Sequence, residues 1–387
     1  MRAYLDNNAT TPVDPRVVEA MAPWWTERAG NASSLHGPGR EAEDAVARAR
    51  DDVARAIGGR RDEVVFTSGG TEADNLALFG AFGAPPSGAA RPHLVISTIE
   101  HPAVDEAADA LAAAHGVDVA RVPVGADGVV DPERVAAAIE TRTRLVSVML
   151  ANNETGAIQP VAEIARLAHN AGVLVHTDAV QALGKIDVDV GVLGVDLLTL
   201  SAHKVHGPQG VGALWIRRGV RVAPLLFGGH QQSGIRPGTL PVPLIVGLGT
   251  AARLAKDELP ARAAHMGLLT SRLLAALEGA IDGVALNGPR EGRTPNTVNV
   301  EIPGTSGETT LIQLDQAGVA VSTGSACASG SALPSPVLVA MGRSRRRAQA
   351  SLRISVSAMT TDEEINLLLA ALPGCVQRQR SMRPRVR

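Results

Sequence analysis

The residues of this chain that are able to do chemistry fall at the ends of short apolar runs. Val64–Thr67 is followed by SGGTEADN. Small residues there let backbone N–H groups, Gly70's among them, approach an anion where a helix begins, and Thr71 adds a hydroxyl. The spacing matches neither GxxxxGK(S/T) nor GxGxxG, so mononucleotide and dinucleotide readings are weak. Alone, the segment reads better as a glycine-rich turn with a helix cap. A second run, Val173–Thr177, ends in Asp178, with Gln181 just beyond. A carboxylate there can pair with a protonated ring nitrogen, or simply cap the next helix. A third, Leu197–Ser201, leads into Ala202-His203-Lys204. A lysine at such a place can form a Schiff base; most lysines are surface residues. The other lysines, Lys185 and Lys256, do not directly follow a candidate sheet strand. His203 and His206 lack an HExxH frame and an obvious third ligand, so no metal is expected.

In combination these features mean more. An anion loop, then an Asp, then a Lys at a later strand end match what pyridoxal 5′-phosphate (PLP) needs. The loop anchors the phosphate, the Asp keeps the pyridine nitrogen protonated and the Lys holds the aldehyde. His101, in Glu100-His101-Pro102, is placed to lie over the ring face, or is a loop histidine before a proline turn. Asn153 and Gln181 are placed to hydrogen-bond the ring hydroxyl.

The elements that must position these groups alternate. Candidate strands are Val64–Thr67, His93–Thr98, Asp118–Val122, Leu145–Leu150, Val173–Thr177, Leu197–Ser201 and Gly212–Ile216. Helical patterns between them cover Glu41–Ile57, Asp105–Ala114, Pro132–Ile139 and Ala162–Ala171. This predicts an α/β fold, a mostly parallel sheet with helices on both faces. Ligands then sit outside the strand C-termini. A long helical stretch from Ile245 to about Leu277, interrupted by Pro260, leads into a smaller α+β domain. Its strands lie near Asn296–Glu301, Val319–Ser322 and Ser351–Ser355, with a final helix from Thr361. The expected division is 14–255 for the large domain, and 1–13 with 256–387 for the small one. The last residues, RQRSMRPRVR, read as a solvated basic tail.

With 387 residues, 45% hydrophobic and 20% charged, the chain reads as a soluble globular protein. Lys plus Arg total 37 against 39 Asp plus Glu, a net charge of −2, so direct nucleic-acid binding is not expected. Two cysteines, Cys327 and Cys375, do not make a disulfide framework. The polar N-terminus and the lack of a membrane-length apolar run predict a cytoplasmic protein.

The chain resembles the fold-type I, class V aminotransferase superfamily of PLP enzymes, and within it the cysteine desulfurases of the NifS/IscS group. The likeness runs from YLDNNATTPVDPRV to SLRISVS. It is carried by GNASSLHGPGREAE, VVFTSGGTEADN, IEHPAV, NNETGAIQP, HTDAVQALGK, SAHKVHGPQGVGALW, GGHQQSGIRPGTLPV and STGSACASGSALPSPVL, in that order. The resemblance implies that Lys204 carries PLP and that Asp178 pairs with its nitrogen. His101 would stack on the ring and assist proton transfer, while Gln181 and Asn153 would hold the ring oxygen and position substrate. Thr71, Ser201, His203 and the Gly70 backbone would bind the phosphate. Thr239, in RPGT, would reach the phosphate of a neighbouring subunit, implying a homodimer. Arg353 would clamp the carboxylate of L-cysteine. Cys327 would take the sulfur as a persulfide and pass it to an acceptor protein, for iron–sulfur clusters, tRNA thiolation or DNA phosphorothioation.

Cys327 sits in the Ser/Gly/Ala/Pro-rich stretch from Ser322 to Pro336, a composition that predicts a mobile loop rather than a buried thiol. That feature favours a desulfurase over a selenocysteine lyase, a kynureninase or an aminotransferase. Retention of Lys204, Asp178, His101, Cys327 and Arg353 together disfavours a non-catalytic scaffold. Cys375, at a helix end in LLLAALPGC, reads as a buried thiol acting as a small hydrophobe. Housekeeping members of the group usually have a longer C-terminal segment. The run Arg343-Ser344-Arg345-Arg346-Arg347 is either a solvated charged face or a contact for an acidic acceptor.

Overall fold

The computed structural model describes residues 2–83, 91–324 and 333–382. Its strands are β1 Ala3–Tyr4, β2 Val64–Thr67, β3 His93–Ser97, β4 Asp118–Val122, β5 Thr143–Ser147, β6 Leu174–Asp178, β7 Leu197–Ser201, β8 Gly212–Ile216, β9 Ala285–Leu286, β10 Thr297–Glu301, β11 Val319–Ala320 and β12 Ser351–Ser355. Seven form one sheet in the order β2-β8-β7-β6-β5-β3-β4. Every pairing in it is parallel except the two made by β8. β2, β3, β7 and β8 are buried along their whole length, as strands covered on both faces must be.

The expected strands all form, with shifts of a few residues at some ends. β5 ends at Ser147, although Val148 and Leu150 still donate their N–H groups to the β6 carbonyls of His176 and Asp178 beyond it. The long helical stretch is two helices, Val242–Asp257 and Leu259–Ala280, and Pro260 lies in the first turn of the second, where its missing N–H costs nothing. A helix over Gly307–Gln316, capped by Ser306, had no counterpart in the sequence reading.

The small sheet is antiparallel, in the order β12-β10-β9, while β1 pairs with β11 in parallel. These elements share a separate apolar cluster that includes Leu5, Leu273, Val298, Leu352 and Leu372. Two expectations are corrected here. Cys375 is not at a helix end but buried inside the helix Asp362–Met382, which continues past Pro373. The basic tail is helical as far as Met382; Arg378 stands in solvent as expected, while half-buried Arg380 donates to the carbonyls of Asp282 and Pro303. No described helix is long and apolar enough to cross a membrane.

The helix Gly37–Ala56 lays Ala42, Ala45, Val46, Ala49 and Val53 against the helix Val242–Asp257. The approach is close: a Cβ at Gly249 would fall 2.5 Å from Ala49 Cα. Backbone cannot yield there as a flexible side chain could. Gly249→Val is expected to cost about 1–3 kcal/mol by overpacking, read as a lowered midpoint of thermal unfolding; an unchanged midpoint would show that the helices separate freely.

Candidate active site

The C-terminal ends of five strands open onto one cavity of about 330 Å³. Its lining includes Asn8, Gly70, Thr71, Asp74, His101, Asn153, Asp178, Gln181, Ser201, His203, Lys204, Gly324 and Arg353. Every sequence-predicted site residue within the described set is there except Thr239. That residue is exposed and does not line its own chain's cavity, as a group meant for a neighbouring subunit would not.

The anion cradle begins at Gly69, the N-cap of the helix Gly70–Phe82, where no side chain caps the first N–H groups. Two close approaches keep this corner free of side chains. A Cβ on Gly212 of β8 would fall 2.6 Å from the Gly69 carbonyl carbon, and one on Gly70 would fall 3.0 Å from Val180 Cγ2. Ser201 Oγ is buried and has no hydrogen-bond partner among the described residues. An orphaned hydroxyl beside uncapped helical N–H groups fits a phosphate. His203 donates no charge to it: burial first, then Lys204 and Lys185, bring its imidazole down to about 4.

Asp178 ends β6, wholly buried, and its Oδ1 accepts the Val180 N–H at 2.8 Å. The capping role is thus real, although a turn follows and not a helix. Burial raises its pKa, against the pull of His101 and Lys204. A carboxylate so desolvated suits a cationic ring N–H. Its neighbour Asp74 is pushed well above the usual range, by burial and then by the Asp178 charge. Glu100 is pushed up to about 8 by burial; it accepts the Ser97 hydroxyl and the Met149 N–H.

His101 is the N-cap of the helix Pro102–His115, and its Nδ1 accepts the Ala103 N–H at 3.1 Å. That bond needs the Nδ1 lone pair, so a neutral ring carries its proton on Nε2. Burial, and then Lys204, hold the imidazole below its ordinary pKa against Asp178.

Lys204 stands one turn past β7, and its Nζ donates to the carbonyls of Asn8 and Ala9 at 2.5 and 2.7 Å. Arg353 reaches in from β12. It donates to Asp6 Oδ1 at 2.7 Å and to the Asn153 carbonyl at 3.1 Å, while its buried Nε has no partner among the described residues. Cys327 lies outside the described residues; Gly324, three positions earlier, lines the cavity.

Sequence reasoning missed four residues here. Asn8 and Asp74 line the cavity. Lys185 is buried and donates to Gln181 Oε1 at 2.6 Å. Glu154, buried, accepts the Ser335 hydroxyl at 2.5 Å, and a Cβ on Gly324 would fall 2.4 Å from the same oxygen. One signal was available for Lys185. It is one of only three lysines in the chain, inside a motif already singled out.

The sequence matches the family described as aminotransferase class-V over residues 3–368. A cysteine desulfurase of Cereibacter sphaeroides is 47% identical, over 99% of this chain and 98% of that protein. A solved NifS-like protein superposes with a TM-score of 0.91 at 39% identity, covering 98% of this chain and all (100%) of the other. SspA, solved in complex with cysteine, gives 0.82 at 33% identity, over 93% of this chain and 100% of that one.

The cradle, the buried carboxylate and the Lys204 amine together fit PLP. Purified protein is expected to carry a visible absorbance band that Lys204→Ala abolishes, since only an amine at that strand end can hold the aldehyde. A band that survives in the variant would place the attachment elsewhere.

Proposed function

We propose how the work is divided in this chain, which belongs to the aminotransferase class-V family and is a PLP-dependent cysteine desulfurase acting on L-cysteine. When bound, PLP supplies an electron sink for the electrons released at the substrate's Cα. Everything else falls to the protein. The N–H groups at Gly70, the hydroxyls of Thr71 and Ser201 and the neutral His203 hold the phosphate. Asp178 keeps the pyridine nitrogen protonated, and His101 lies over the ring. Asn153 and Gln181 hold the ring oxygen. Arg353 takes the substrate carboxylate, which arrives where its Nε–H is unpartnered. Lys204 would hold the cofactor and would take the Cα proton of the substrate.

The Cys327 thiolate then attacks the substrate sulfur. An S–S bond forms, the Cβ–S bond breaks, its electron pair stays with Cβ, and Cβ takes a proton to leave as alanine. Only the thiolate is nucleophilic enough for this step. The observation that carries the reading is the convergence of Lys204, Asp178, His101 and Arg353 on one cavity, whose rim includes Gly324. Cys327→Ser separates the half-reactions. The variant is expected to keep PLP and to change its absorbance on adding cysteine, yet to yield no sulfide to a thiol reductant at a useful rate. Mass spectrometry of the wild type should show added sulfur on the Cys327 peptide; sulfur on Cys375 instead would overturn the assignment.

Two partners complete the proposal. One is a second copy of the chain, placing Thr239 at its neighbour's phosphate. The other is a sulfur acceptor with an acidic surface. Of the basic run, Arg347 is tied to Glu301 at 2.7 Å, while Arg345 and Arg346 stand exposed on a short helix. Opposite charge raises the on-rate of such a partner, and salt screens it. Arg345→Ala with Arg346→Ala is expected to leave cysteine turnover with a small thiol intact. Delivery to the natural acceptor should slow, most clearly at low salt. Equal delivery rates across a salt series would leave the run an ordinary solvated face.

A further inference from the structure

Of the chain's three lysines, Lys256 pairs with Asp187 at the surface, and Lys204 holds the cofactor in the reading above. Lys185 is 5% exposed and lies in the turn that follows β6. Its Nζ donates to Gln181 Oε1 at 2.6 Å, and Gln181 Nε2 donates to the Asn8 carbonyl at 3.0 Å. Both partners work one way: an ammonium only donates and a carbonyl only accepts. Between them they fix which way the Gln181 amide faces. Its oxygen is taken by Lys185, so what remains to offer the cavity is an N–H. A flipped amide would set N–H against ammonium and oxygen against carbonyl, losing two buried hydrogen bonds at once.

We propose that Lys185 is a positioning residue: it locks Gln181 so that the site presents a donor, not an acceptor, to the cofactor's ring oxygen. The inference rests on Gln181 facing that oxygen, as assigned above. The cations that act on Lys185 are Lys204 and Arg353, and burial with those two charges brings its ammonium down to about 7. A cavity of about 20 Å³ beside it, lined among others by Asn7, Thr11, His206, Arg262 and Ser357, has room for about one water on its remaining donors. A neutral amine can still donate to Gln181 Oε1, and the Asn8 carbonyl can only accept from Gln181 Nε2, so the two together keep the orientation on either side of that titration.

The test is a pH titration of the PLP-loaded protein by visible absorbance, with cofactor retention on dialysis as a second readout. Lys185→Met keeps the length of the side chain and its burial while removing the donor. It is expected to raise the midpoint by about one pH unit, because a ring oxygen facing a weaker donor keeps its proton to higher pH. Gln181→Leu should raise it as well, and Lys185→Met should add little in that background. Gln181→Glu keeps an acceptor for Lys185 but has no N–H, so it should shift the midpoint as Gln181→Leu does. It decides the orientation even if Lys185→Met fails to fold. Three results would overturn the inference. They are a wild-type midpoint in Lys185→Met, a full further shift on adding it to Gln181→Leu, and a Gln181→Glu protein that titrates like wild type. Wild-type protein that takes up no PLP would instead overturn the site reading beneath it.

Discussion

An ammonium drawn partly out of water needs hydrogen-bond acceptors, and half-buried Lys204 finds two backbone carbonyls within the chain's first ten residues. Much of the site's geometry follows. Carbonyls are fixed only if their strand is fixed, and Asn8 is held at every polar atom. Its N–H donates to Ser355 Oγ, its Nδ2 to Thr297 Oγ1 and the Asn153 carbonyl, and its Oδ1 accepts from Asn296 Nδ2. The small sheet therefore grips the N-terminal segment, and the N-terminal segment grips the lysine of the large sheet. Arg353 closes the circuit from β12 through Asp6 and Asn153. Elements more than three hundred residues apart in sequence are thus parts of one site.

The acids beneath the cavity show a second constraint. Asp74, Glu100 and Asp178 are all buried, and three carboxylates so placed cannot all ionise. Burial, and then the Asp178 charge, hold Asp74 well above the usual carboxylate range, and burial pushes Glu100 up to about 8 although it accepts a hydroxyl and a backbone N–H. The negative charge is left to Asp178, the only one of the three with both His101 and Lys204 acting to lower its pKa. That is the position from which a pyridine nitrogen can be held protonated.

What the sequence disclosed follows from where the information is local. β-branched runs ending in Ser, Asp or Lys declared both the strands and the edge on which chemistry sits. The motif residues Lys204, Asp178 and His101 stood at those edges, so their convergence required only a parallel sheet. The helix Gly307–Gln316 was passed over because its apolar stripe is weak and its burial depends on β11 and the last helix. The helix runs through Pro373 and carries Cys375 in its interior because Leu368, Leu372 and Val376 hold it in the small core. Asn8, Asp74 and Lys185 were hidden for another reason. Their importance lies in partners remote in sequence or in how deeply they are buried, and neither is written in a residue type.

Residue choice among the bases carries a last piece of logic. Nearly every cation in this chain is an arginine, including those in the surface pairs with Asp51, Asp62 and Glu278. A guanidinium stays charged at any physiological pH and suits a clamp, the role proposed for Arg353. It cannot hold an aldehyde or move a proton. Lysine can do both, and its charge yields readily to burial. Two of the three lysines adjoin the cavity, and the charges of both act to lower the pKa of His203. Burial first, and then the charges of Lys204 and Arg353, bring Lys185 down to about 7, so the fold already shows here how far a lysine's charge yields to its surroundings.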